Sequence, residues 1–204
     1  MNLDKLQDAQ ASFLARYPDG FADASMQAVR SKHNVDKLVQ FTQAALTREQ
    51  CQRPQYVADT LVTIISRSSM VSRFEKPPFK RFVDGLDSDG KELLARALEH
   101  RLYDRKGAGF ESFVDMLKPH KLAKWAVVSA VPFYFAPRRE VFVKPTTVKR
   151  IIKALEVPDL QYHATPSWAF YRGYQALMRD VKKEVSPSLA PNYAALSGFL
   201  MMTL

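Results

Sequence analysis

The sequence predicts a mainly α-helical fold, organised as a single multi-helix domain over residues 1–204. Three observations indicate this class. Apolar residues recur at helical spacings along most of the chain, for example at Val57, Leu61 and Ile64. Seven glycines are few for a turn-rich β protein of this length, and the twelve prolines mostly fall where helical patterns stop. A hydrophobic content of 47% is enough to fill the core of such a domain.

The helices of the first part of the chain are predicted from apolar periodicity and from their terminal residues. They cover residues 3–16, 21–31, 34–46, 55–68, 90–103 and 110–117. The first helix ends at Tyr17-Pro18-Asp19-Gly20, which has the composition of a type I turn. Asp89 with Glu92 three residues later is a variant of the capping box, and it marks the start of the helix over 90–103.

A glycine-rich stretch, Gly107-Ala108-Gly109, is predicted to form a flexible joint. The charge balance changes soon after it, because residues 1–102 carry a net charge of +2 and residues 103–204 carry +7. Two internal halves are therefore an alternative description of the single domain, a near-neutral helical half over 1–106 and a basic half over 107–204.

Residues 126–144 interrupt the helical pattern. Strand-forming residues such as Val127, Val131 and Phe133 are followed by a turn-like Ala136-Pro137-Arg138-Arg139. Residues 140–144 then alternate as a second strand would. This pattern predicts a small β-hairpin near 126–144, and a helix kinked at Pro132 is the alternative.

Three helices are predicted after this segment. Pro145 begins a helix of about ten residues, with an inner stripe of Val148, Ile151, Ile152 and Leu155. A long helix covers residues 167–184, and an apolar helix reaches the end of the sequence. We expect this apolar helix to be buried within the domain. The second interpretation is that it forms the interface of a homo-oligomer.

Several short motifs, spread over most of the chain, are similar to those of a family of uncharacterised bacterial proteins. They are Phe13-x3-Tyr17-Pro18-x-Gly20-Phe21-Ala22-Asp23, Lys124-Trp125 with Pro132-Phe133, Val141-Phe142-Val143-Lys144-Pro145, and Pro166-Ser167-Trp168-x2-Tyr171. The family has mainly helical cytosolic members and no established activity, so the resemblance implies a bacterial origin and no functional residue.

The composition favours the cytoplasm. The single cysteine, Cys51, cannot form an intramolecular disulfide, which suits a reducing compartment. The first residues lack the cationic and apolar regions of a secretory signal. The longest apolar stretch, residues 125–136, is too short for a membrane span, which needs about 20 residues. No membrane association is therefore expected.

No motif of a catalytic, metal or cofactor site is recognised. The acidic stretch Asp87-Ser88-Asp89-Gly90 would place Arg96 where a calcium loop needs a carboxylate. None of the four histidines is spaced from another ligand as metal sites require. The sequence therefore predicts no catalytic residues, no metal and no cofactor, and a non-enzymatic protein is favoured.

The strongest functional signal is a concentration of positive charge in residues 118–153. Nine Lys or Arg residues face one Glu there, a net charge of +8 in 36 residues. Six of them are candidate anion-binding residues at the predicted hairpin tip and on the helix that follows: Arg138, Arg139, Lys144, Lys149, Arg150 and Lys153. Arg67 and Arg73 are added from a Ser/Arg cluster at 66–73, where helix termini with capping serines are the preferred interpretation and a phosphate site is the alternative.

These charges lead to three function hypotheses. The first is a protein that binds nucleic acid or another polyanion through the basic surface of 118–153. The second is a module for protein–protein interaction or self-assembly, in which the same charges meet an acidic protein. The third is an enzyme whose site is assembled from residues that are scattered in the sequence.

Overall fold

A computed structural model of the protein describes residues 1–104 and 107–204. These residues form α-helices that are joined by short 3₁₀ turns and irregular segments, without any strand, so the mainly α-helical prediction is confirmed. The helices are α1 (Leu3–Arg16), α2 (Gln27–His33), α3 (Val35–Ala45), α4 (Arg48–Cys51), α5 (Pro54–Arg67), α6 (Lys76–Asp84), α7 (Ser88–Glu99), α8 (Gly107–Leu117), α9 (Trp125–Phe135), α10 (Pro145–Ala154), α11 (Trp168–Glu184) and α12 (Tyr193–Thr203).

Helix α9 is the centre of the core. All of its residues except Phe135 are buried, and it packs against α3, α5 and α8. Around it, α5 packs against α6 and α7, while α12 packs against α1, α10 and α11. Because a helix buried on every side has no polar face, its sequence is apolar all round.

The hairpin prediction for residues 126–144 is wrong, and the alternative of a helix that contains Pro132 is right. Residues 140–143 form neither helix nor strand and are buried. Two of their backbone donors bond to side chains of neighbouring helices, since Val141 N–H lies 3.2 Å from the Tyr171 hydroxyl and Val143 N–H lies 2.9 Å from Ser129 Oγ, while Glu140 N–H bonds to the Ala136 carbonyl at 2.8 Å. The strand-like sequence pattern of these residues therefore belongs to a segment that is buried on all sides. These three backbone N–H groups are hydrogen-bonded without a second strand.

The flexible joint predicted at Gly107-Ala108-Gly109 is also wrong, because these residues form the first turn of α8. Helix α8 packs against a π-helical turn, His100–Asp104, that continues directly from α7. The proposed boundary between residues 106 and 107 involves residues 105 and 106, which lie outside the described residues.

Helix α6 was not predicted from the sequence. Pro77 and Pro78 look like interruptions, but they lie in the first turn of the helix, where the missing N–H of proline has no intrahelical partner to lose. Phe79, Phe82 and Val83 then form its buried face.

Helix α12 is the apolar segment at the end of the sequence. Its residues Leu196, Phe199 and Leu200 are fully buried within the domain. Phe199 meets Phe13 of α1 edge to face, with ring centroids 5.4 Å apart. Burial within the domain is therefore what the structure shows, and a homo-oligomer through this segment stays a prediction.

Helix α10 generates a stability prediction. Val148, Ile151 and Leu155 are completely buried, whereas Ile152 is only half-buried at the edge of the core. We expect Ile151→Ala to lower the free energy of unfolding by about 2–5 kcal/mol, because it leaves a cavity in the core. Ile152→Ala should lower it by less than about 2 kcal/mol, because Ile152 is partly exposed and its truncation removes less buried apolar surface. Chemical denaturation of both variants measures the difference, and equal losses would contradict the assigned inner face.

Candidate functional site

Glu140, the one carboxylate of the basic segment 118–153, is buried in an ion pair. Its Oε2 atom lies 2.6 Å from Nη2 of Arg101, and the exposed fractions of the two side chains are 9% and 2%. The same carboxylate oxygen accepts a hydrogen bond of 2.7 Å from the Tyr171 hydroxyl. A buried ion pair needs such additional hydrogen bonds to offset the loss of hydration.

Aromatic rings enclose the guanidinium group of Arg101. Its Cζ lies 5.0 Å from the ring centre of Tyr171, 5.7 Å from that of Trp168 and 5.9 Å from that of Phe110. Cation–π attraction of this kind strengthens when water is excluded. Nε of Arg101 is buried without a hydrogen-bond partner among the described residues. Burial, together with the nearby Glu140 charge, raises the pKa of Tyr171 well above its usual value, so that its hydroxyl remains a donor.

The π-helical turn after α7 carries Arg101 into the core, and Gly109 permits its close approach to α8. A Cβ atom on Gly109 would lie only 2.5 Å from the Arg101 backbone nitrogen and 2.7 Å from the His100 carbonyl carbon. The sequence analysis missed this arrangement. A signal for it exists, since Glu140 is the only acidic residue in a strongly basic segment and precedes three apolar residues.

All nine basic residues of segment 118–153 are exposed to solvent. Lys118 pairs with Asp115 at 2.7 Å. The other eight take part in none of the ion pairs formed by the described residues: Lys121, Lys124, Arg138, Arg139, Lys144, Lys149, Arg150 and Lys153. Because Glu140 is neutralised inside the core, the segment presents cations to solvent without a carboxylate of its own.

The loop that joins α5 to α6, residues 68–75, brings the Ser/Arg cluster to this basic segment. At its first end, Ser69 Oγ lies 3.0 Å from Nδ1 of His33. The pKa of His33 is lowered by burial and by the charges of Lys32 and Lys144, so the charge of Lys144 acts on this end of the loop. At its other end, burial raises the pKa of Glu75 while the charge of Lys124 opposes the shift. Cations of the basic segment thus act on both ends of the loop, and we call residues 68–75 together with Lys124 and Lys144 the loop face.

Helix α10 continues the loop face. Lys144 is the residue before its first turn, and Lys149, Arg150 and Lys153 are exposed on its outer side. A helix advances about 1.5 Å per residue, so the distance along the axis from Lys144 to Lys153 is about 14 Å. We call the exposed cations of the loop face and of the outer side of α10 together the band of positive charge.

Arg138 and Arg139 lie apart from this band. The four residues between Arg139 and Lys144 are buried, so the basic segment passes through the core between these two exposed residues. The backbone around the arginines is held by hydrogen bonds from Gln175 to the Arg139 carbonyl, 2.6 Å, and from Tyr193 N–H to the Pro137 carbonyl, 3.1 Å.

Both arginines line an open groove of about 570 Å³. The groove is lined further by Asp36, Val39 and Gln43 of α3 and by residues 135–137, 191 and 192. It therefore combines apolar surface with two cations and one carboxylate. We call it the arginine groove.

Arg67 directly precedes the loop face, and Arg73 lies within it. Arg67, the last residue of α5, lies over Phe41 with its Cζ 5.2 Å from the ring centre. Arg73 lies over Phe74 at 4.8 Å. Ser68 does not cap a new helix, since its buried hydroxyl bonds to the Tyr134 hydroxyl at 2.9 Å and accepts from the loop backbone. The candidate residues therefore form a band with Arg67 and Arg73, and a separate groove with Arg138 and Arg139.

Other reactive side chains have structural surroundings. Burial raises the pKa of the Cys51 thiol to about 11, which keeps it protonated and unreactive near neutral pH. Among the described residues, no group of three or more His, Cys, Asp or Glu residues is placed to hold a metal ion. Within the same residues, none of the helices has the length and apolar composition of a membrane span.

Comparisons with family models, with curated proteins and with solved structures found no significant match to the chain. The resemblance to a family of bacterial proteins therefore stays a prediction.

The buried ion pair generates a prediction for stability. We expect Glu140→Gln to lower the free energy of unfolding by about 3–5 kcal/mol, because it leaves the Arg101 charge in the core without its counter-ion. The double variant Arg101→Met with Glu140→Gln should be more stable than either Arg101→Met or Glu140→Gln alone, since no buried charge remains. Denaturation of these three variants and the wild type gives the coupling energy, and additive losses would show that the pair is not coupled.

Gly109 generates a second prediction. We expect Gly109→Ala to destabilise the protein by about 1–3 kcal/mol, because its methyl group would press against the backbone of residues 100 and 101. Gly198→Ala is the matched control, since its methyl group would make only ordinary contact with Phe21. That change should be neutral or stabilise α12 by up to about 1 kcal/mol. Melting temperatures that fall equally in both variants would contradict the close approach.

Proposed function

We propose that this protein binds nucleic acid through the band of positive charge formed by the loop face and the outer side of α10. The observation that carries the proposal is that all nine basic residues of segment 118–153 are exposed while its only carboxylate is buried against Arg101. Exposed cations on helix surfaces and loops are the groups that contact phosphates. The proposed location is the cytoplasm, on the basis of the single cysteine.

The spacing of the band suits a phosphate backbone. Lys144, Lys149 and Lys153 are distributed over about 14 Å of one helix, and consecutive phosphates of one DNA strand advance about 3.4 Å along the duplex axis. Several phosphates can therefore be neutralised together, and the release of their counter-ions drives binding. The buried ion pair supports this role because it removes the one negative charge that would weaken the field.

A second candidate function is binding of an acidic protein segment in the arginine groove. The observation that favours it is the combination of apolar residues such as Val39 and Phe135 with Arg138 and Arg139 in one open groove. A concave surface that combines apolar residues with a few charged groups is typical of sites that recognise a side chain or peptide. An enzyme remains the third hypothesis, and the Ser69–His33 pair is its nearest approach to a nucleophile with a base.

Charge reversal tests the proposed function. We expect the quadruple variant Lys144→Glu, Lys149→Glu, Arg150→Glu and Lys153→Glu to lose binding to DNA and RNA at about 150 mM salt, because the phosphate contacts become repulsive. In single reversals, the log–log dependence of affinity on salt should flatten by about 0.9 for each lost contact with duplex DNA. Fluorescence anisotropy over a salt series measures both quantities.

The control variant reverses four exposed basic residues outside the band, Arg16, Arg96, Arg179 and Lys183. Both variants change the net charge equally, so a general effect of charge would weaken binding in both. We expect the control to retain most of its affinity. Wild-type protein that does not bind at this salt concentration would contradict the proposal. Reversal of Arg138 and Arg139 alone tests the groove, and a loss of nucleic-acid binding there would extend the surface to it.

A further inference from the structure

Phe74 is the most exposed large apolar side chain of the described residues, with 74% of its surface accessible to solvent. It lies in the loop face, and the guanidinium of Arg73 lies over its ring at 4.8 Å. An isolated exposed apolar residue needs no explanation. Phe74 differs because it is a planar ring in contact with Arg73, in a loop on whose two ends cations of the basic segment act.

The loop holds Phe74 in a defined position. Ser68 and Val71 are buried anchors, and the Ser68 hydroxyl accepts hydrogen bonds from Met70 N–H at 3.2 Å and Val71 N–H at 3.3 Å. The Ser72 hydroxyl accepts from Phe74 N–H at 3.3 Å, and the Ser72 carbonyl accepts from Glu75 N–H at 3.0 Å. Because the backbone is ordered before binding, little conformational entropy is lost when a ligand meets the ring.

One cation touches the ring and two others act on the ends of the loop. Arg73 covers the ring, the charge of Lys124 acts on the following residue Glu75, and the charge of Lys144 acts on His33, which bonds to Ser69 at the opposite end. A strand of nucleic acid placed along the loop would therefore meet positive charge before and after Phe74. A ring between cations is the arrangement with which proteins bind single strands, since bases stack on the ring while phosphates meet the charges.

We infer that Phe74 is a stacking platform for an unpaired base, and that the preferred ligand of the basic band is single-stranded nucleic acid. This inference depends on the proposed function and specifies its ligand. In a duplex the faces of the bases are covered by their neighbours, so Phe74 would reach them only by opening a base step, which costs free energy. An unpaired base offers its face without that cost.

Substitution of Phe74 tests the inference. Anisotropy titrations at about 150 mM salt would use a labelled single strand of about 20 thymidines and a duplex of the same length. We expect Phe74→Leu to weaken single-strand binding by roughly 5- to 100-fold, which corresponds to the loss of one base stacked on an aromatic ring. Duplex binding should be nearly unchanged. Phe74→Tyr should bind as the wild type does, because it keeps the ring.

Leu93→Ala is the matched control, since Leu93 is another exposed apolar residue, at 59%, and lies on α7. It should bind as the wild type does. Phe74→Trp gives a direct readout, because the fluorescence of the introduced indole should be quenched when thymidines stack on it and should not change with the duplex. Equal melting temperatures of all variants would show that the loop keeps its fold.

The outcomes separate the inference from the proposed function. Wild-type protein that binds neither ligand overturns both. If the wild type binds both ligands and Phe74→Leu leaves both affinities unchanged, the inference alone is overturned. Phe74 would then be assigned to a protein partner. An equal loss with both ligands also overturns it, since Phe74 would then act as a wedge in the duplex.

Discussion

The ion pair between Arg101 and Glu140 connects the parts of this fold that are far apart in the sequence. Arg101 comes from the π-helical turn after α7, Glu140 from the segment after α9, and Tyr171 from α11. Each of these groups would be costly to bury alone, so the three stabilise the core only together. The interaction fixes the course of residues 140–143 through the core and therefore the two places where the basic segment emerges, at Arg139 and at Lys144.

The same interaction shapes the surface. A carboxylate on the exterior of the basic segment would attract the neighbouring cations and weaken the field. With Glu140 in the core, the surface of that segment carries cations alone. Stability and the candidate function thus share one cause. The position of the buried segment also explains why Arg138 and Arg139 form a groove with α3, while Lys144 joins the loop face.

The loop face shows how two weak sequence signals combine. Arg67 and Arg73 belong to a serine-rich cluster that looks like a pair of helix termini, and the basic segment begins about fifty residues later. Packing of α5 against α9 brings the two together, with Ser68 bonded to Tyr134. The sequence alone gives no reason to single out Phe74, because an exposed phenylalanine in a loop carries no functional signal. The packing of its loop near the basic segment is what makes it a candidate ligand contact.

The sequence by itself determined the helical class, most of the helices and the concentration of charge. Periodic apolar residues predict a helix wherever one face is buried and the other is exposed to solvent, as in α5 and α10. Segments that are covered on every side have no polar face, so their sequences show no contrast between buried and exposed positions. For this reason only the tertiary structure decided the conformation of α9 and of residues 140–143. It alone decided that Arg101 is buried, since the sequence places this residue near a helix end where an exposed cation is normal. Which cations act on the same loop was likewise decided by packing, because Lys144 and Lys124 are distant in the chain from His33 and Glu75, whose pKa values their charges affect.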